Sequence, residues 1–385
     1  MKNRDKILGG LVFTAVMQAS VGLAQAADFS VGVVVSSTGS GAVLGIPYKN
    51  VFESLPNQIA GQPVKYIVLN DESDVTTGVR NAKKLVEESN VDILIGSNSV
   101  PVTQALMRVA AEYKTPLISL GPIDFDAKKD PWTFSIPQPI PLMMGAVLED
   151  MKKNGVKKVG YIGFADAWGD SVYKAVAEQN VIDGLQITTD ERYQRNDVSI
   201  IAQTLKIMRT QPDAVVVGAS GASGALPHIS LRDKGYQGMI YNTHGSVSQD
   251  FIRIGGKQVA DAIAPAGPYL FASQLAESNP VKANATKYFE MYDAAYGKEA
   301  RSPFAGYAYD AYLLLEAVLP KVAAAAEPGT EAFRVKLRDS LEQDVKEVVG
   351  TQGVYTMTET DHNGLDERAR ILVQVKDQKW RVKTD

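Results

Sequence analysis

Gly96-Ser97-Asn98-Ser99 lies between a short apolar run and Pro101, and residues of these types at that place can cradle an anion. Val91 to Ile95 reads as a buried strand and Pro101 to about Tyr113 as a helix, so the serines sit where a helix begins. Proline suits a first helical turn because its missing N–H would be unpaired there anyway. A helix N-terminus offers unpaired N–H groups and roughly half a positive charge, which is what a carboxylate or phosphate needs. The same serines can equally do no more than cap the helix.

Other chemistries fail on spacing. Gly39-Ser40-Gly41 follows the first apolar run, but the third glycine of a dinucleotide fingerprint would fall at Leu44, and Gly45 is one residue late. Gly218-Ala219-Ser220-Gly221 begins like a nucleophile elbow and loses its second glycine at Ala222. His228, His244 and His362 have no metal-ligand spacing with one another or with an acid. Asp71-Glu72-Ser73-Asp74 lacks the glycine and distal glutamate of a calcium loop and reads as a solvated helix start. No cofactor is called for and the chain reads as non-enzymatic; a secreted α/β hydrolase is the rival from another class.

The elements that would position these loops alternate as in parallel α/β sheets. Strands are expected at Val31–Val35, Val64–Leu69, Val91–Ile95 and Pro116–Leu120, with helices from near Ile46 and Thr76. Prolines cluster between Asp124 and Pro141, which forces extended backbone and marks a first crossover between lobes. A second series follows, with strands at Val159–Phe164, Gln186–Thr189, Ala214–Gly218, Met239–Asn242 and Ala262–Ala266. Helices at about Pro280–Tyr296, Phe304–Ala325 and Thr330–Glu342 come without strands and are expected to return to the first lobe. Tyr307, Tyr309 and Tyr312 on the second of these suit core or hinge packing, with one at the cleft rim. The expected lobes are thus 28–136 with 270–347, and 137–269 with 348–385. Small-polar loops at the C-terminal ends of the strands, including 36–45, 96–99, 119–122, 165–170, 219–223 and 243–246, would face each other across a cleft.

Residues 1–26 read as a secretory signal peptide: Lys2, Arg4 and Lys6 precede the apolar run Ile7–Val16, and Ala24-Gln25-Ala26 gives the cleavage site. The run is too short to span a bilayer. The chain has no cysteine, which excludes disulfides and a lipid-carrying N-terminal cysteine. A periplasmic protein without a lipid anchor is the simplest expectation. The formal net charge of −4 becomes more negative once the basic signal is set aside, which argues against nucleic acid or an anionic membrane as partner.

The stretches FSVGVVVSSTGSGAVLG, NDESD, DILIGSNSVPVTQA, TPLIS, KVGYIGFADAWGDS, PDAVVVGASG and AYDAYLLLEA resemble, across essentially the whole mature chain, the Leu/Ile/Val-binding solute receptors of ABC importers. The resemblance implies an α/β, two-lobed type I periplasmic-binding-protein fold, each lobe a mainly parallel sheet flanked by helices. Three hinge crossovers would join the lobes. It also implies a monomer that closes on a small solute and delivers it to a membrane permease and its ATPase; a sensory receptor role remains open. By position, it implies that Ser99, the backbone at Val100, Thr103 and Ser119 hold the ligand's carboxylate. Trp168, Ser220 and Gly221 would close from the other lobe, and Leu44, where some relatives place a tyrosine, would make its corner more apolar.

One departure bears on the ligand. Amino-acid binders of this family supply an acidic residue near the loop after the strand Met239–Asn242, and this chain has Thr243-His244-Gly245 there. Burying an ammonium without a carboxylate costs several kcal/mol. A hydrophobic or aromatic carboxylate such as a 2-oxo acid, with His244 donating to its second polar oxygen, therefore fits better than an amino acid. Asp124 or Asp166 could still serve an ammonium.

Overall fold

In the computed structural model the described residues are 28–178, 184–302 and 304–383. The signal-peptide expectation for residues 1–26 lies outside them. Among the described residues no helix is long and apolar enough to cross a membrane.

The first sheet contains β1 (Phe29–Val35), β2 (Gln58–Ile59), β3 (Gln62–Asn70), β4 (Ile93–Gly96), β5 (Leu117–Ser119) and β6 (Thr133–Ser135), in the order β2-β3-β1-β4-β5-β6. All neighbours run parallel except β2 with β3. β1 and β4 read as unbroken apolar runs because both faces of a parallel sheet are covered by helices. Those helices are α1 (Ala42–Ser54), α2 (Val75–Glu87) and α3 (Val100–Glu112). α2 shows why its sequence is helical: Asp74 caps it by accepting from the Thr77 N–H at 2.7 Å, and Gly78, Ala82 and Leu85 form its buried stripe.

The second lobe starts with α4 (Ile140–Lys153). Its sheet includes β7 (Lys158–Phe164), β8 (Gln186–Tyr193), β9 (Ala214–Gly218), β10 (Met239–Asn242) and β11 (Ile263–Ala266). Between them lie α5 (Ala167–Glu178), α6 (Ile201–Arg209), α7 (Ala225–Asp233) and α8 (Gln249–Gly255). The chain then returns through α9 (Val281–Tyr296), α10 (Ala305–Ala325) and α11 (Glu331–Asp344), whose apolar faces pack into the core built on β1. A small hairpin of β12 (Val348–Val349) and β13 (Val354–Tyr355) follows, and β14 (Ile371–Lys376) and β15 (Lys379–Val382) complete the second sheet in the order β15-β14-β11-β10-β9-β7-β8.

Two details differ from the expected division. Tyr355 and Met357 are buried in the first lobe's core, so the hairpin after residue 347 packs there and the chain enters the second sheet only at Ile371. β6 also sits inside the proline-rich stretch expected to be all crossover, because Thr133–Ser135 still finds partners on β5.

The crossovers are tied to one another by side chains. Gln138 in the first donates from Nε2 to the Ala369 carbonyl in the third at 2.9 Å, while its Oε1 accepts from the Tyr307 hydroxyl. Asp310, one helical turn beyond Tyr307, accepts from the Thr351 N–H at 2.5 Å, the Gln352 N–H at 3.0 Å and the Tyr355 hydroxyl at 2.8 Å. Burial pushes the Asp310 carboxyl up to about 6 despite these three donors.

Candidate ligand cleft between the lobes

A cavity of about 210 Å³ opens between the lobes at the C-terminal ends of both sheets. Val100 and Ile123 of the first lobe are packed into the same apolar cluster as Trp168 and Val172 of the second, and Ser171 Oγ donates across to Asp124 Oδ2 at 3.0 Å. The two lobes are therefore in contact around the cavity.

The loop between β4 and α3 forms one wall. Gly96 has φ +132°, and a Cβ there would lie 1.9 Å from the Val34 carbonyl oxygen, so only glycine lets β4 leave the sheet beside β1. Ser97 Oγ donates to the buried Asp71 at 2.5 Å and accepts from the Ser99 N–H at 3.2 Å. Asp71 is thus a buried anchor of this loop, whereas a solvated position was expected. Asn98 Oδ1 accepts from the Ser36 N–H at 2.8 Å, and its Nδ2 donates to the Gly41 carbonyl at 3.2 Å, which joins this wall to the loop after β1. Ser99 is the N-cap residue of α3, yet its side chain makes no capping hydrogen bond. Ser99 and Val100 line the cavity, as does Leu44 on α1.

Thr103 and Ser119 are not on the lining. Thr103 Oγ1 donates to the Ser97 and Ser99 carbonyls at 2.8 and 3.0 Å and accepts from the Ser97 N–H at 3.0 Å. The Ser119 hydroxyl donates to the Gly121 carbonyl and accepts from its N–H. Both hydroxyls are consumed in shaping the loops that they were expected to open toward a ligand.

Trp168, Ser220 and His244 line the opposite wall. Gly221 does not; its N–H donates to the Gly245 carbonyl at 2.8 Å, and Gly245 takes the place on the lining. Trp168 and His244 meet edge to face with ring centroids 5.5 Å apart. His244 does not cap α8, because Ser248 Oγ does so by accepting from the Phe251 N–H at 3.2 Å. Trp168 Nε1 and His244 Nε2 are both buried without a hydrogen-bond partner. Burial pulls the His244 imidazole down to about 4, so it is neutral at physiological pH. Of the three tyrosines on α10 named above, Tyr307 reaches the lining.

Asp166 and Arg195 are the only side chains with a full charge on the lining among the described residues. Arg195 Nε donates to Asp166 Oδ2 at 2.6 Å, and Asp166 Oδ1 accepts from the Trp168 and Gly169 N–H groups at 3.0 and 3.3 Å, capping α5. Asp124, the other acid that could have met an ammonium, is off the lining and bonded to Ser171. Arg195 was missed because β8 was ended at Thr189. Its last residues, Asp190 to Tyr193, belong to an edge strand half-open to water and carry no apolar run. Their burial runs exposed, half-buried, half-buried and buried, so no period-two apolar signal marked them.

A family profile described as a periplasmic binding protein matches residues 28–379. The chain is 41% identical, with a TM-score of 0.89, to a solved extracellular ligand-binding receptor from Rhodopseudomonas palustris, over 93% of this chain and 100% of that one. A leucine-binding protein from Thermotoga maritima is 18% identical, with a TM-score of 0.77, over 92% of this chain and 97% of that one. A solute-binding protein of an R. palustris ABC transporter, solved with benzoate, is 19% identical with a TM-score of 0.76, over 92% of this chain and 95% of that one. No curated protein sequence matches. One fold at equal distance thus carries a leucine binder and a benzoate-bound protein, so the fold does not choose the ligand. The chain belongs to the periplasmic binding protein family.

Proposed function

We propose that the cleft takes a small hydrophobic or aromatic carboxylate without an α-ammonium group, a 2-oxo acid being a good fit, and that the closed receptor delivers it to an ABC permease and ATPase in the periplasm. The observation that carries this reading is the state of Asp166, the sole acid on the lining among the described residues. Arg195 already neutralises it, and two backbone N–H groups occupy its other oxygen. An incoming ammonium would be desolvated with no free carboxylate to meet it, a cost of several kcal/mol.

The positive features suit an acid. The Ser99 N–H is bonded to Ser97 Oγ and Pro101 has none, so it is the Val100 and Val102 N–H groups, with the helix dipole, that favour a carboxylate beside Ser99 and Val100. Across the cavity, Trp168 Nε1 is a donor, and neutral His244 can offer Nε2–H to a second oxygen of the ligand. Leu44, Leu120 and Phe304 supply apolar wall for the remainder. Ligand contacts from both lobes favour the closed state, and a permease that pulls the lobes apart removes half of those contacts and releases the solute.

Mass spectrometry of what the purified protein carries, extracted by unfolding it, tests the reading. The expected ligand is a carboxylic acid that does not react with primary-amine reagents. An α-amino acid as the bound species would overturn it.

A further inference from the structure

We infer that Arg195 is the specificity-determining residue of the cleft: by occupying Asp166 it excludes ligands that carry an ammonium group. This rests on the carboxylate reading above and names the side chain that enforces it.

The placement follows from sheet register. β7 and β8 are parallel neighbours with Phe164 opposite Tyr193, so Asp166 and Arg195 each stand two residues past a paired position, at the same sheet end. The Arg195 guanidinium lies over the Phe164 ring, 4.2 Å from its centroid, which fixes its direction while Nε meets Asp166 Oδ2. Nη1 lies 3.5 Å from Ser220 Oγ, so the arginine also reaches the loop after β9. Asp166 is held independently through Oδ1 by the start of α5, so it keeps its place when the arginine is removed.

Two variants should then move specificity in opposite directions. Arg195→Met keeps an unbranched chain over Phe164 but frees Asp166 Oδ2 on the cavity wall, where it can pair an ammonium. Asp166→Asn leaves the guanidinium on the wall without a carboxylate, where it can pair a second anionic group.

Calorimetry of the wild-type protein and both variants uses three probes of similar bulk: 3-phenylpropionate, phenylalanine and phenylsuccinate. Relative to wild type, Arg195→Met should shift preference from 3-phenylpropionate toward phenylalanine by about tenfold or more, and Asp166→Asn should shift it toward phenylsuccinate by a similar factor. Thermal melts show which variants fold, and either variant alone carries the test. Unchanged preferences in a folded variant, with 3-phenylpropionate still bound, overturn the role of Arg195 and leave the carboxylate reading standing. Wild-type preference for phenylalanine overturns both.

Discussion

Ser99→Asp is expected to leave α3 as stable as it is now and to weaken binding of a carboxylate ligand by at least about a hundredfold. Aspartate is as good an N-cap as serine, and the helix dipole favours a negative charge there. The new carboxylate would take up the N–H groups left for the ligand and face the ligand's own charge. Two like charges about 4 Å apart near a protein surface repel by roughly 4 kcal/mol, above the roughly 2.7 kcal/mol that a hundredfold loss requires, and salt screens a partly buried pair only weakly. Thermal melting and calorimetry on the same sample separate the two effects. Unchanged affinity in a stably folded variant would place the ligand's acid elsewhere in the cleft.

Asp310→Ala is expected to destabilise the protein by about 3 kcal/mol at pH 7, with a penalty that grows as the pH falls toward 5. The substitution removes the acceptor of the buried Thr351 and Gln352 N–H groups, while the Tyr355 hydroxyl keeps the Ile136 carbonyl at 3.2 Å. Each unpaired group costs about 1–3 kcal/mol, offset in part by relief of the ionised carboxylate's own burial. The pH trend follows from the direction of the shift. The folded-state value of about 6 lies above the ordinary 3.8, so the folded protein holds a proton there that the unfolded chain has lost. That contribution to stability is complete below 3.8 and disappears as the pH rises through about 6. Buried His228 and His244, pulled down to about 3 and about 4, act in the opposite sense, and the difference between variant and wild type cancels them. Denaturant unfolding at pH 5 and pH 7 measures both effects; a penalty that shrinks toward pH 5 would contradict the assignment.

Most of the scaffold was legible because buried parallel strands announce themselves as apolar runs. β9 and β10 match the expected bounds, and β1, β3, β4, β5 and β7 match within a few residues. The short pairings β2, β6, β12 and β13 were not, since two or three residues carry no period and their pairing depends on tertiary neighbours. The loops of the cleft were found for the same reason as the strands: each follows a strand end. What sequence could not settle was the direction of each hydroxyl. Ser99 faces the cavity, while Thr103, four residues on, turns back to the Ser97 and Ser99 carbonyls. Arg195 was hidden by a polar edge strand, and with it the fact that decides what Asp166 can do.

Calorimetric titration of the wild-type protein with phenylpyruvate and benzoylformate beside leucine tests the central claim most directly. Binding of at least one oxo acid, with leucine weaker by about two orders of magnitude, is the result expected for a cleft whose acid is already paired. Tight binding of leucine with no heat from either oxo acid would contradict it.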